Sequence, residues 1–271
     1  MLVLNISKLN IYLMLTRRKQ LLKVLSLFPN DKIIYRKYLM KVLFLIKQEY
    51  NPDKFYSFHP YLYGPFSIEV YKDIEYLMNE GYLNQELKVI KPEKVKINYE
   101  SYVSSLLKKF KTADEITQYV YSNYSNYIPK EINNSKGIVN VGYEGESIDS
   151  FLDKLIQNNV NVLVDVRANP FSMKFDFIGS KLKDYLNKVN IKYIQIKELG
   201  IESEDRKGDR KQVLNRYYKT LETKESYLQK LINLSKTHKI ALMCFEKDVN
   251  ECHRGEISKY LTKKGLKVET L

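Results

Sequence analysis

A segment near the end of the chain, "MCFEKDVNECHRGEISKYL" (residues 243–261), contains both cysteines of the protein and one of its three histidines. Cys244, Cys252, His253 and Arg254 lie within eleven positions, between an apolar run and a helix-like run. Thiol, imidazole and guanidinium groups at this spacing suit a metal site, a nucleophile or an anion site. They also occur as ordinary core groups, because free cysteine is small and often buried.

Cys252 precedes a predicted helix, where backbone N–H groups and the helix dipole favour a thiolate. His253 and Arg254 add positive charge, so Cys252 or His253 is a candidate catalytic group. The same helix N-terminus with Arg254 is a candidate site for a phosphate or carboxylate. For Cys244, which ends a predicted strand, a structural role in the core is the competing interpretation.

We predict no cofactor and no metal, with zinc bound by Cys244, Cys252 and His253 as the alternative. The spacing Cys-x7-Cys-His lacks the close cysteine pair of the usual zinc motifs. A disulfide or redox pair is another alternative, and it requires the two Cα atoms to lie within about 7 Å. The segment lacks the Cys-x5-Arg loop of tyrosine phosphatases and rhodaneses. The chain has no glycine-rich dinucleotide or Walker loop either.

The other candidate residues each follow a predicted strand: Tyr143, Glu144, Gly145, Asp165, Arg167 and Glu246. In an open parallel sheet, ligands bind outside the carboxyl ends of the strands. We therefore expect these side chains to meet the 244–254 segment at one edge of the sheet and form a site there.

Glu144 and Glu246 are predicted to be catalytic, because paired carboxylates in a cleft can be tuned to act as acid and base. Asp165 is also a predicted catalytic residue. Arg167 is expected to bind the same anion as Arg254. Tyr143 and Gly145 are predicted to contact the substrate, Tyr143 by stacking. The alternatives are that the two glutamates bind loop amides and that Asp165 only pairs with an arginine.

The elements that position these residues occupy residues 135–271, the predicted second domain. Apolar strands alternate there with helices, as in "NVLVDVR", "SKLKDYLNKVN" and "KIALMCFE". Strands that are apolar throughout indicate a parallel sheet covered on both faces. We predict an α/β fold with a Rossmann-like parallel sheet.

Residues 1–134 have a different pattern of apolar residues, which is mainly helical. Helical spacing over 17–28, 35–50 and 67–83, followed by alternation over 82–92, is the order of a winged helix-turn-helix. One or two polar helices are expected before the boundary at 134/135. The apolar start is read as a short extra segment, with Met14 as an alternative first residue.

The stretch "FHPYLYGPFSIEVYKDIEYLMNEGYL" resembles YwgA-like and Panacea-like antitoxin-associated modules, which share a Tyr-Gly-Pro turn before a helix. The resemblance covers roughly residues 18–90. It implies DNA binding or protein–protein contact by the N-terminal domain. A tight turn that only packs aromatic rings is the alternative.

"VGYEGESIDSFLDKL", "VLVDVRANPFS", "YIQIKELG" and "LMCFEKDVNECHRGEISKYL" resemble the family catalogued as domain of unknown function 488. The ordered motifs span roughly residues 137–265. The resemblance implies an α/β fold and the site residues named above, and it implies no activity. The tract "IESEDRKGDRK" (201–211) departs from the glycine-rich stretch of the family, so no role is carried over to it.

Lysine and arginine outnumber aspartate and glutamate by 45 to 32, giving a net charge of +13, which favours a nucleic-acid or nucleotide partner. Two cysteines form no disulfide framework, so we expect a cytoplasmic protein. The apolar runs are too short for a membrane helix, so no membrane partner is expected. A homodimer is left open.

The leading hypothesis is a hydrolase or transferase acting on a nucleotide-like or nucleic-acid substrate through the α/β domain. The N-terminal domain then recruits nucleic acid or a protein partner. The alternative is a DNA-binding regulator without catalysis, or an antitoxin- or defence-associated interaction protein, with a ligand-sensing α/β domain.

Overall fold

The computed structural model describes residues 14–31, 33–128 and 135–271. Residues 1–13 of the predicted extra segment lie outside the described residues. The predicted domain boundary at 134/135 adjoins residues 129–134, which also lie outside them, and it stays a prediction. The chain divides into two compact units. Unit 1 runs to Phe58 and resumes over Tyr63–Ser125, and unit 2 comprises His59–Leu62 and Asn126–Leu271.

Unit 1 is mainly helical. In chain order the first elements are α1 (Thr16–Ser26), α2 (Arg36–Tyr50), β1 (His59–Tyr61, within unit 2), β2 (Gly64–Phe66), α3 (Ile68–Asn79), α4 (Glu100–Lys109) and α5 (Ala113–Asn123). The helices predicted over 17–28, 35–50 and 67–83 are confirmed as α1, α2 and α3. In place of the strand expected over 82–92, a single antiparallel bridge joins Leu83 to Val89. The winged-helix arrangement stays a prediction.

The Tyr-Gly-Pro turn of unit 1 is a close-packed feature. Gly64 has a φ of +92°, and a Cβ there would lie 2.8 Å from Cε1 of Tyr121. Lys41, which is buried, donates a hydrogen bond to the carbonyl of Tyr63. The turn therefore requires glycine both for its backbone conformation and for space.

Unit 2 contains the remaining elements. They are β3 (Gly137–Gly142), α6 (Ile148–Gln157), β4 (Val162–Asp165), α7 (Gly179–Lys188), β5 (Lys192–Gln195), α8 (Arg210–Thr220), α9 (Glu225–Ser235), β6 (Lys239–Cys244), α10 (His253–Lys263) and β7 (Val268–Thr270). Ser147 caps α6 by accepting a hydrogen bond from the backbone N–H of Ser150. The alternation of strand and helix predicted from residue 135 onward is confirmed.

The five strands form one parallel sheet in the order β5-β4-β6-β3-β7. Central strands β3, β4 and β6 are almost wholly buried, whereas edge strands β5 and β7 are partly exposed. Gly142 is paired with Cys244, and Asp165 with Met243 and Gln195. The carboxyl ends of four strands are therefore level, and the parallel α/β fold is confirmed.

None of the helices in the described part of the chain combines the length and apolar character needed to cross a membrane.

Candidate functional site

Asp165, the last residue of β4, is the centre of a buried polar network. Its carboxylate accepts hydrogen bonds from the backbone N–H, Nε and Nη2 of Arg167 at 3.0, 2.8 and 2.6 Å. The Tyr193 hydroxyl donates a fourth bond at 2.7 Å. Asp165 is fully buried, and its carboxylate accepts four hydrogen bonds. This arrangement suits a residue that holds Arg167 and Tyr193 in place.

Arg167 is also buried, and Asp165 is its counter-charge. Burial acts to lower the pKa of Arg167, but the hydrogen bonds and charge of Asp165 raise it above its ordinary value. Nη1 donates to the Tyr143 hydroxyl at 2.8 Å and Nη2 to the carbonyl of Phe177 at 3.0 Å. One N–H of Nη1 is left over from the five of the guanidinium group.

Tyr143 is 2% exposed and lies directly after β3. Its ring stacks on Phe177 with centroids 4.3 Å apart and packs edge-on against Phe245. These internal contacts occupy the ring that was expected to stack on a substrate. Its hydroxyl, which also donates to Ser172, is the polar part beside the cavity described below.

Glu144 and Gly145 are both exposed. The Glu144 carboxylate accepts a hydrogen bond from the backbone N–H of Lys247 at 2.9 Å, which is the loop-amide alternative. Gly145 has a φ of +78° and forms the turn that follows β3. Neither residue lines the cavity, so the structure places both beside the site.

Cys244, Cys252 and His253 come together as a buried cluster. Nδ1 of His253 lies 3.6 Å from Sγ of Cys244 and 3.8 Å from Sγ of Cys252. Nε2 of His253 lies 2.9 Å from the carbonyl oxygen of Val166 and donates to it, because a carbonyl only accepts. Nδ1 of His253 therefore faces the two sulfur atoms.

The pKa values of the two thiols are shifted in opposite directions. The pKa of Cys244 is raised by its hydrogen bond to Cys252 and by burial. Burial also acts to raise the pKa of Cys252, but hydrogen bonds from Cys244 and His253 and the charge of His253 lower it to about 6. Cys252 is thus the thiolate of the pair and Cys244 its donor. Cys252 is only 2% exposed, which leaves it poorly placed to attack a substrate directly.

Glu246 follows β6 and lines the cavity beside the cluster. Burial acts to raise its pKa, but hydrogen bonding to the Cys252–Cys244 pair and to the backbone lowers it below its usual value. Its Oε2 atom is buried and has no hydrogen-bond partner among the described residues. Glu246 therefore offers an ionised oxygen that the protein itself leaves unused.

Arg254, the second residue of α10, is fully buried. Its Nη2 donates to the carbonyl of Lys247 at 3.0 Å, while Nε and Nη1 have no partner among the described residues. Arg254 does not line the cavity that contains Arg167. The two arginines expected to bind one anion thus occupy different environments.

A cavity of about 590 Å³ opens at the carboxyl edge of the sheet. Its charged lining comprises Arg167, Lys174, Arg206, Arg210, Glu246 and Glu251, four cations against two acids. Cys244 and His253 also line it. Such a balance favours an anionic ligand.

Sequence reasoning missed Lys174, Arg206 and Arg210. Arg206 and Arg210 belong to the tract 201–211, whose density of basic residues was the available signal. Lys174 lies in an irregular loop after β4 and carries no motif. Its Nζ donates to the carbonyl of Glu146 at 2.9 Å, which brings its charge to the cavity wall.

The cavity is bordered by exposed apolar side chains. Phe171, Met173 and Phe245 are 63%, 97% and 42% exposed and contribute to its lining. Exposed aromatic rings beside cations suit a ligand with both a flat ring and negative charge.

The sequence model of a family described as "Domain of unknown function DUF488" matches residues 147–261. The match covers α6 to most of α10, including Asp165, Arg167 and the Cys244–Arg254 segment. No curated protein and no solved structure gives a significant match. The N-terminal resemblance lies outside the matched residues and stays a prediction.

Proposed function

We propose that the cavity of unit 2 binds an anionic, nucleotide-like or nucleic-acid substrate and that the protein is a hydrolase or transferase. The observation that carries this proposal is the cavity at the carboxyl edge of the sheet, which four cations line together with Cys244 and His253 of the buried cluster. Glu246 lines the same cavity, and its Oε2 atom has no partner among the described residues. Parallel α/β proteins bind their ligands at that edge.

Arg206 and Arg210 bind the anion in this proposal. Both are exposed, and both line the cavity. Arg206 donates from Nε and Nη2 to the carbonyl of Ile201, which leaves Nη1 for a ligand. Arg210 pairs with Glu251 at 2.9 Å, and an incoming anion competes for this exposed pair. Arg167 contributes its remaining N–H.

Glu246 is the general base of the proposed reaction. Its carboxylate oxygen Oε2, which has no partner among the described residues, is available to accept a proton from an attacking water or hydroxyl group. Cys252, which was predicted as the nucleophile, has little access to the cavity and supports the reaction through its charge. His253 is held by Val166 and supports the thiolate.

The role of unit 1 is proposed on the charge and the sequence pattern alone. A winged-helix arrangement that recruits nucleic acid or a protein partner would bring the substrate to unit 2. The net charge of +13 supports a polyanionic partner. Two free, buried cysteines fit a reducing compartment such as the cytoplasm.

The test is turnover by the purified full-length protein. Nucleoside mono-, di- and triphosphates, cyclic nucleotides and a single-stranded oligonucleotide would be assayed for product, with and without added divalent cations. We expect Glu246→Gln to lower kcat by roughly 10²–10⁴-fold, as for loss of a general base. Arg206→Gln should raise KM by about tenfold, because a charge-assisted hydrogen bond is lost.

Lys183→Gln is the matched control for charge, since Lys183 is an exposed residue of α7 that does not line the cavity. It should leave both constants unchanged. Binding of a nucleotide that depends on Arg206, with no turnover under any condition, would overturn the enzyme and favour the ligand-sensing regulator. Absence of both binding and turnover would overturn the anionic-substrate proposal.

A further inference from the structure

We propose that Cys244, Cys252 and His253 form a binding site for a soft divalent cation, zinc above all, whose fourth coordination position faces the cavity. The inference rests on the proposed function for its role in catalysis, but the site is argued from the cluster alone.

The spacing of the three ligand atoms is that of a metal site. The atoms all lie within 4.8 Å of one another. Zn–S and Zn–N bonds of about 2.3 and 2.0 Å at a tetrahedral angle put S and N about 3.5 Å apart. The observed distances from Nδ1 of His253 to Cys244 and Cys252 are 3.6 and 3.8 Å. These two nitrogen–sulfur distances match a bound cation to within a few tenths of an ångström.

His253 is oriented as a metal ligand. Its Nε2 donates to the backbone carbonyl of Val166, which holds the ring with Nδ1 facing the sulfur atoms. Tyr217 packs edge-on against the imidazole with centroids 5.6 Å apart, and its own hydroxyl is tied to the carbonyl of Leu199. The ring is therefore held by its neighbours before any cation binds.

The fourth position has a candidate occupant. Cys244, His253 and Glu246 all line the cavity, and Oε2 of Glu246 is buried without a partner among the described residues. Three protein ligands with an open position are typical of catalytic zinc, whereas four protein ligands are typical of structural zinc. In the proposed site a water molecule would take this open position and donate a hydrogen bond to Oε2 of Glu246, and that water would be the one activated in the proposed reaction.

The ligand chemistry selects a soft cation. Two sulfur atoms and one imidazole nitrogen suit zinc and disfavour magnesium or calcium, which require oxygen ligands. Each metal–ligand bond displaces the proton that its sulfur or nitrogen atom carries, and these protons are released to solvent. Two thiolates neutralise the charge of the cation within the buried cluster.

Metal content without substrate is the first measurement. The reduced, tag-free, full-length protein would be titrated with Zn²⁺ and with Co²⁺ and its metal stoichiometry measured. We expect one equivalent per chain, a thiolate-to-cobalt charge-transfer band, and a melting temperature that falls when a chelator removes the metal. Cys252→Ser should weaken the affinity at least tenfold and reduce the charge-transfer band.

His238→Gln is the matched control, because His238 is an exposed histidine outside the cluster, and it should bind metal like the wild type. If Cys252→Ser fails to fold, the cobalt spectrum of the wild type still shows whether thiolates bind the metal. Less than about a tenth of an equivalent in the reduced wild type, or a cobalt spectrum without a thiolate band, overturns the site. A Cys244–Cys252 disulfide in protein that binds no metal after reduction also overturns it.

The two proposals fail in different ways. Nucleotide turnover by protein that binds no metal would overturn the metal centre and leave the proposed enzyme standing. A stoichiometric metal bound through the thiols, without turnover of any nucleotide or oligonucleotide, would support the metal centre and overturn the proposed function.

Discussion

The two sides of the sheet edge differ in how completely their buried polar atoms are paired. After β4, the Asp165 carboxylate receives four hydrogen bonds, and all but one of the N–H groups of Arg167 have partners. After β6, Oε2 of Glu246 and two nitrogen atoms of Arg254 have none among the described residues. Both groups are buried, so exposure to solvent does not explain the contrast.

The difference in hydrogen bonding between the two sides of the edge indicates different roles for them. A fully satisfied network contributes rigidity, whereas an unsatisfied buried polar atom costs about 1–3 kcal/mol. The 244–254 segment keeps that cost beside a thiolate and a cavity. We infer that the β4 side holds the edge in shape and that the β6 side is left incomplete for a ligand.

Removing Arg167 should give the largest loss of stability. Arg167→Met leaves the fully buried Asp165 carboxylate without its counter-charge, which costs about 3–5 kcal/mol. Chemical denaturation of the full-length protein, followed by a probe in unit 2, measures the change. The double variant with Asp165→Asn should recover part of it, and additive losses would show that the two residues do not act as a pair.

Removing the Tyr193 hydroxyl should have an intermediate effect. Tyr193→Phe deletes a 2.7 Å hydrogen bond to the buried carboxylate of Asp165, which is worth about 1.5 kcal/mol. Tyr185→Phe is the matched control, because that hydroxyl donates to the partly exposed Asp176 and should matter less. Equal losses of unfolding free energy in the two variants would mean that the hydrogen bond to Asp165 stabilises the protein no more than a surface hydrogen bond does.

The β4 side was the more predictable of the two. The runs of apolar residues predicted the strands, and parallel pairing places the carboxyl ends of those strands at one edge. The sequence therefore predicted that Asp165, Arg167 and Cys244 lie near one another. A carboxylate and an arginine two positions apart lie on the same face of a strand. The sequence stated the pairing of Asp165 with an arginine as an alternative, and the structure identifies that arginine as Arg167.

The β6 side depends on loops that the sequence does not specify. Arg254 is fully buried and donates a hydrogen bond to the carbonyl of Lys247, which lies in the loop between β6 and α10. Arg206 and Arg210 reach the cavity from a tract without periodicity. The positions of these arginines depend on irregular backbone and on contacts between residues distant in sequence. Neither the spacing of apolar residues nor a sequence motif predicts such contacts.

Removing Arg254 should have a small effect despite its complete burial. Arg254→Met loses one hydrogen bond, to the carbonyl of Lys247, and also removes two donors that have no partner. Since no carboxylate pairs with it among the described residues, these contributions should cancel to within about 1 kcal/mol. Denaturation beside Arg167→Met measures the difference. A loss as large as that of Arg167→Met would mean that Arg254 is equally structural.

Neutralising Glu246 should have the smallest effect on stability. Glu246→Gln preserves volume and keeps one oxygen to accept the hydrogen bonds that lower the pKa of Glu246, while Oε2 has no partner among the described residues. The free energy of unfolding should therefore change by less than about 0.5 kcal/mol. Glu144→Gln is the matched control, because Glu144 accepts a hydrogen bond from the backbone N–H of Lys247 and should lose more.

The Glu246 result bears directly on the role of the β6 side. A carboxylate that contributes little to stability is free to accept a proton or to bind a cation, and the same variant should then fail in turnover or in metal affinity. A destabilisation above about 1.5 kcal/mol would mean that the fold already uses both oxygens of Glu246. The two sides of the edge would then be equally structural, and neither a general base nor an open coordination position would remain there.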